Sequence, residues 1–571
     1  MTIDALGTAL PATLLAFAGD FFWDNPIFSR DNWSAAMDGF RVGLGLVAAA
    51  LLIYAARARR MGVPVRKRTQ RNFAILLTVL GFGAYFDFGN PNTRYSEYYH
   101  RHEFFHYYLG SKYFEEIGYT RLYECAAVAE TELGRASQVR SRELRDLRVN
   151  LIKPIPDTYV FSNPAECKQH FTPERWEAWK KDVDWFYRSS AGTYWENMQK
   201  DHGYNPPPVW TMAGKFFSSF GVADDGFFKA LSAIDVLLHA GIVVLLYWAF
   251  GWKIGAIATV FWGINAPANF YWTGGAFMRQ DWIFLLVASV CLARKRYFAL
   301  AGAALTWSAL LRVFPAILFA GWGIIIGIHL LKKRFFHPDH KRLIAGCVVA
   351  TGILIPASVV VSGPNSYKEF VEHISVHKNT PLTNHMGLET MLTHTWDGRM
   401  RFTRNDALDD PFQEWKQGRL DRAASLKPLQ LAIIAGLFAW MIWALRRTKL
   451  LWLGPAMSLP LCISIVNITC YYYSMFLVAA AVVATRPPLG PVLLVGSAAS
   501  QMLLTKYYWV DDKFTAQSWL WYLLGVLVLY SYSRPFTQER LKAWWHGRPE
   551  PLSARQERRL DEQGGTVTLT P

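Results

Sequence analysis

The sequence predicts an all-α polytopic membrane protein, and three observations carry that expectation: composition, long apolar runs, and the placement of bases between them. The chain has 571 residues, of which 52% are apolar and 15% aromatic, with only 18% charged. Apolar runs recur at Phe40–Tyr54, Ala74–Ala84, Leu231–Phe250, Ile254–Phe261, Trp282–Leu292, Ile317–Leu331, Leu343–Val361, Leu429–Trp443, Leu450–Val466, Met475–Ala484 and Pro491–Leu504. Crossing the hydrocarbon takes about 20 mostly apolar residues, and most of these runs reach that with their flanks.

Lys and Arg in short loops stay cytoplasmic. Arg57, Arg59, Arg60, Arg66, Lys67, Arg68 and Arg71 sit together without an acid. Arg294-Lys295-Arg296, Lys332-Lys333-Arg334 and Arg446-Arg447 with Lys449 repeat the pattern. Alternating crossings between these clusters give a bundle of about thirteen transmembrane helices. The expected divisions are an N-terminal segment with the first spans (1–88), a first extracytoplasmic helical loop region (89–228) and a transmembrane bundle (229–361). A second extracytoplasmic region (362–428), C-terminal spans (429–545) and a polar, disordered cytoplasmic tail (546–571) follow. Thr8–Phe22 is apolar but short and reads as an interfacial helix in preference to a signal-like remnant.

The net charge of +16 is then largely topological, with some attraction to anionic lipid heads; nucleic acid is not an expected partner. A multi-pass protein of a bacterial cytoplasmic membrane, with its chemistry on the extracytoplasmic face, is the expected setting. No internal repeat is visible, which weakens a transporter reading. The six cysteines contain no C-x-x-C pair. Cys291, Cys347 and Cys462 fall in apolar runs, whereas Cys125 and Cys167 share the first outer region, where a disulfide between them is plausible.

Polar chemistry concentrates in the outer segments. "Y-H-R-H-E-F-F-H-Y-Y" (Tyr99–Tyr108) contains H-E-x-x-H through His102, Glu103 and His106, the helical zinc motif of metalloproteases. The spacing of Glu103, Tyr107 and Phe114 suits one face of a helix lying along the membrane. "D-H-G-Y-N-P-P-P-V-W" (Asp201–Trp210) reads as a rigid extended element. Arg279, Gln280 and Asp281 stand at the outer mouth of one span, Arg312 at the outer end of another, and "N-H-M-G-L-E-T" (Asn384–Thr390) lies in the second outer region.

The order of these motifs resembles the GT-C superfamily of membrane glycosyltransferases, most closely the polyprenol-phosphate-mannose-dependent mannosyltransferases of glycosyltransferase family 87. Glu103 and Tyr107 followed by "G-Y-T-R-L-Y" (Gly118–Tyr123) are similar to that family's acid, tyrosine and G-x-x-L-Y element. Tyr204-Asn205-Pro206-Pro207 resembles its Y-x-P-P. Arg279-Gln280-Asp281 resembles its G-Q-x-N, Arg312 with Pro315 its basic residue before a proline, and Asn384-His385-Met386 its N-Q-S loop. The matches keep their order from about residue 87 to 395. The family usually has Asp where this chain has Glu103 and Lys where it has Arg312; the Gly of its G-Q-x-N is Arg279, and the Ser of N-Q-S is missing.

The resemblance implies a GT-C-like bundle and an inverting glycosyltransferase. Its donor would be a polyprenyl-phosphate sugar, mannose or another hexose. Its acceptor would be a glycolipid, a glycan or a protein. Glu103 would be the catalytic base. Arg279, Arg312 and Gln280 would bind the donor phosphate. Tyr107, His106, His102, Tyr204, Asn384 and Asp281 would contact sugar or acceptor. No metal ligand and no cofactor is required, with a divalent cation beside the phosphate left open. The rival readings are a lipid or solute transporter or flippase and, behind it, a zinc membrane protease.

Overall fold

The computed structural model describes residues 30–90, 97–378, 380–408 and 410–533. The expectations for Thr8–Phe22 and for the tail from residue 546 fall outside them. About three quarters of the described residues are helical. Among the described residues, strands form only two small antiparallel pairs, Glu143–Asp146 with Leu151–Pro154 and His385–Met386 with Ile468–Thr469.

Among the described residues, five helices are long and apolar enough to cross a membrane: Asp31–Arg60, Asp225–Phe250, Phe314–Lys333, Pro338–Ser362 and Lys427–Leu445. Their ends follow from sequence. Asp31 opens the first, and Arg57, Arg59 and Arg60 close it, each charge complementing the helix dipole. The Asp224 carboxylate accepts the Phe227 N–H to cap Asp225–Phe250, which stops at Gly251. Other apolar runs fold into shorter pieces. Ile254–Phe261 lies in the 12-residue helix Trp252–Gly263. Leu450–Val466 is divided into Leu451–Leu453, Gly454–Met457 and Leu459–Ile465, with Pro455 and Pro460 near the starts of the latter two. Helix length therefore supports five crossings, and not by itself the thirteen expected.

The helices Asp281–Arg294 and Phe298–Leu311 form an antiparallel hairpin in which the Ser308 hydroxyl donates to the Trp282 carbonyl at 2.8 Å. This pairing brings Arg279 and Arg312 to one end and leaves the basic turn Arg294-Lys295-Arg296 at the other. Phe298–Leu311 also packs against Pro338–Ser362 at a close crossing. A Cβ on Gly346 would fall 1.8 Å from the Ala299 carbonyl oxygen, and one on Gly302 would fall 2.1 Å from that of Leu343. Backbone meets backbone here, and small residues permit it. Gly346→Leu is expected to force the two helices apart at a cost of at least about 2 kcal/mol, read as a lower melting temperature of the detergent-solubilised protein. An unchanged melt would refute the crossing.

Residues 97–228 build a helical unit around buried Trp179, Trp195, Tyr108 and Tyr113, with the Lys112 ammonium paired to Asp182 at 2.8 Å. A disulfide joins Cys125 to Cys167. The Arg101–Lys112 helix differs from expectation. Every residue from Phe104 to Lys112 is buried, and Phe114 begins a separate short helix. The stretch from Phe104 onward is enclosed by neighbouring elements, its aromatic side chains packing on several sides of the helix.

Candidate functional site

The site is assembled by the loop 274–280, which ties two distant helices together. The His100 N–H donates to the Gly275 carbonyl at 2.7 Å, fixing the start of the Arg101–Lys112 helix against the loop. Gly275 has φ +68, and a Cβ there would meet the Tyr98 carbonyl oxygen at 2.6 Å, so only glycine fits. Met278 adopts φ +48, a left-handed conformation that a side chain disfavours. It is held by the Trp210 indole N–H, which donates to its carbonyl at 3.0 Å.

This backbone delivers Arg279 to Glu103. Its Nε lies 3.0 Å from Glu103 Oε2, and one terminal nitrogen donates to the Tyr107 hydroxyl. Glu103 and Tyr107 are four apart on one helix and share a face, so one guanidinium spans both. The same guanidinium sits 4.4 Å from the Tyr107 ring centre and 5.2 Å from that of Tyr471.

Arg312 completes the group from the end of the hairpin's second helix. It is 6% exposed, its guanidinium lies 5.7 Å from the Trp210 ring, and its nearest carboxylate, Asp281, is 3.9 Å away. One terminal nitrogen donates to the Leu311 carbonyl at 2.7 Å, whereas Nε and the other terminal nitrogen have no hydrogen-bond acceptor. A buried guanidinium with two donors unmet is costly to maintain and is suited to an anion that would meet both.

The remaining expected residues divide. Asp281 is buried within this group. Asn384 joins it through backbone alone: its carbonyl accepts the Cys470 N–H at 3.0 Å, one residue before Tyr471. Gln280 turns away, donating to the Thr273 hydroxyl at 3.0 Å within its own loop. Tyr204 is fully buried, with its hydroxyl bound to Thr211 at 2.7 Å, so it is a core residue with no free sugar-facing edge. Asp201–Trp210 is not extended throughout, since Pro208 opens the helix Pro208–Ser218.

His106 is likewise enclosed, at 2% exposure. Its Nδ1 lies 2.7 Å from the His102 carbonyl, which can only accept, so Nδ1 carries the proton. Its bare Nε2 then accepts from the Tyr123 hydroxyl at 2.6 Å, and that oxygen accepts the Gly203 N–H at 2.9 Å. His102, partly exposed, meets Asp201 at 2.8 Å. Ligand atoms of His102, His106 and Asp201 lie within 4.8 Å of one another, as do those of His394, Asp511 and Asp512. In the first set Tyr123 occupies the His106 lone pair a metal would need. In the second, Arg399 and Arg419 stand against Asp512 and His394. Protein side chains thus already stand against both sets.

Burial, and then the neighbouring His102, hold the His106 imidazole down to about 4 from its ordinary 6.5. The unfolded chain thus binds a proton near 6.5 that the folded chain refuses until about pH 4. The stabilisation is complete above 6.5 and is lost as pH falls through that window, on the order of 3 kcal/mol in all. His106→Asn is expected to flatten the fall in stability between these values in melting curves; an identical slope would contradict it.

Tyr471, Trp210, Tyr123 and Asp235 are the parts of this region missing from the expected site. Asp235 carries a sequence signal, a lone carboxylate inside an apolar run. Comparison with family models, curated proteins and solved structures finds no match to this chain.

Proposed function

We propose that the protein transfers a sugar from a polyprenyl-phosphate donor to an acceptor hydroxyl at the extracytoplasmic face of a membrane. The observation that carries this reading is the buried Arg312 guanidinium, with two donors unmet, beside the Glu103–Arg279–Tyr107 group. Both arginines stand at the hairpin end opposite the basic turn 294–296, and bases favour the cytoplasmic side. The reading takes the shorter apolar helices as further crossings, about thirteen in all.

The chemistry assigns each group a task. A polyprenyl phosphate leaves readily, so its oxygen needs no proton, whereas the acceptor hydroxyl is a poor nucleophile near neutral pH. Glu103 takes the hydroxyl proton while the acceptor oxygen bonds to the anomeric carbon. The bond from that carbon to phosphate oxygen breaks, and attack from the opposite face inverts the centre. Arg312 receives the departing phosphate through its planar fork. Arg279 aims Glu103 through their ion pair. Both guanidinium groups are covered, at 4% and 6% exposure, so donor binding requires a local opening. No step calls for a divalent ion. A zinc protease is disfavoured because Glu103 faces Arg279 and Tyr123 blocks His106.

Native mass spectrometry of the protein purified from membranes tests the donor class. A co-purified polyprenyl-phosphate sugar, lost in Arg312→Ala, is expected. Equal retention of such lipids by the variant would remove Arg312 from the site.

A further inference from the structure

Resting on that reading, we infer that Asp235 is a positioning residue that sets the register of Arg279 against Glu103 from inside an apolar helix. Asp235 lies within Asp225–Phe250 and is 4% exposed. A carboxylate placed there is expensive unless its oxygens are met. Its oxygens face neither Lys nor Arg side chains at ion-pair distance among the described residues. They accept two consecutive backbone N–H groups instead, Oδ2 that of Arg279 at 3.0 Å and Oδ1 that of Gln280 at 3.1 Å.

Gln280 precedes the 14-residue helix Asp281–Arg294, so the carboxylate also meets the positive end of that helix's dipole. The loop therefore has three anchors: Gly275 on the Glu103 helix, Met278 on Trp210, and Arg279–Gln280 on Asp235. Of these, only the Asp235 anchor grips the residue whose guanidinium reaches Glu103. Asp235 also lines a small cleft with Tyr85, Tyr98, His239 and Thr273.

Asparagine has nearly the same shape but offers one acceptor and an NH2 group. One of the two N–H donors would then face a donor. Asp235→Asn should thus loosen the loop without removing any side chain of the phosphate group.

The test is hydrogen–deuterium exchange at the peptide spanning 274–283, together with native mass spectrometry titration of undecaprenyl phosphate and a melting curve. In the wild type, slow exchange of the Arg279 and Gln280 amides is expected. In Asp235→Asn, those amides should exchange at least tenfold faster, and affinity for undecaprenyl phosphate should fall at least tenfold, with the rest of the chain protected as before. Fast exchange of both amides in the wild type overturns the inference and needs no variant. So does unchanged exchange in a folded Asp235→Asn. If the wild type binds no undecaprenyl phosphate while the variant's two amides still loosen, the anchoring stands and the donor reading fails.

Discussion

Glu103→Gln is expected to abolish sugar transfer, lowering turnover at least about a hundredfold, while the protein still folds and still binds donor. The expectation rests on geometry. Gln keeps the length of the side chain and an oxygen for the Arg279 Nε now 3.0 Å from Glu103, but an amide cannot take a proton from an acceptor hydroxyl. Removing the negative charge leaves the Arg279 guanidinium, 4% exposed, without its carboxylate, so some stability is lost as well. Donor affinity separates the two effects. A variant that binds polyprenyl phosphate as tightly as wild type yet does not turn over has lost the base. Full turnover in Glu103→Gln would remove Glu103 from the mechanism.

Arg312→Ala is expected to lower turnover by about a hundred- to a thousandfold, the range seen when one donor to a developing negative charge is removed. It should also weaken polyprenyl phosphate binding, because the two unmet nitrogens of Arg312 are those available to the phosphate. Asp281, 3.9 Å from Arg312, would be left buried without a cation, so Arg312→Lys is the sharper comparison. Lysine keeps the charge near Asp281 but offers no planar fork. An intermediate loss of turnover in Arg312→Lys with an unchanged melting temperature assigns the effect to phosphate geometry. Equal activity in Arg312→Lys and wild type would reduce the role of Arg312 to charge alone.

The long apolar helices were legible because an apolar run followed by a cluster of bases is a one-dimensional signal. Helix length was less so. Pro455 and Pro460 divide a run that composition alone reads as continuous. The juxtaposition of Glu103 with Arg279 follows from a tertiary event, the seating of the loop 274–280 on His100, Trp210 and Asp235, which no local pattern announces. Letters also carried two meanings. His102 and His106 have the spacing of zinc ligands, yet Tyr123, on the next long helix of the same region, occupies the lone pair that would bind metal. Tyr204 and Gln280 stood in motif-like contexts and yet turn their polar atoms to Thr211 and Thr273. Asp235 left the signal of a lone acid inside a hydrophobic run, but its pairing with the Arg279 and Gln280 amides is again tertiary.

The central claim is that the Glu103–Arg279–Arg312 group breaks the bond between a sugar and a polyprenyl phosphate. The most direct measurement places the purified protein in vesicles with a labelled polyprenyl-phosphate hexose and a membrane glycolipid extract, and follows the lipid product. The account predicts free polyprenyl phosphate together with labelled glycolipid in the wild type, and neither in Glu103→Gln. Transfer of the intact donor between leaflets, with its sugar still attached and no polyprenyl phosphate released, would contradict it.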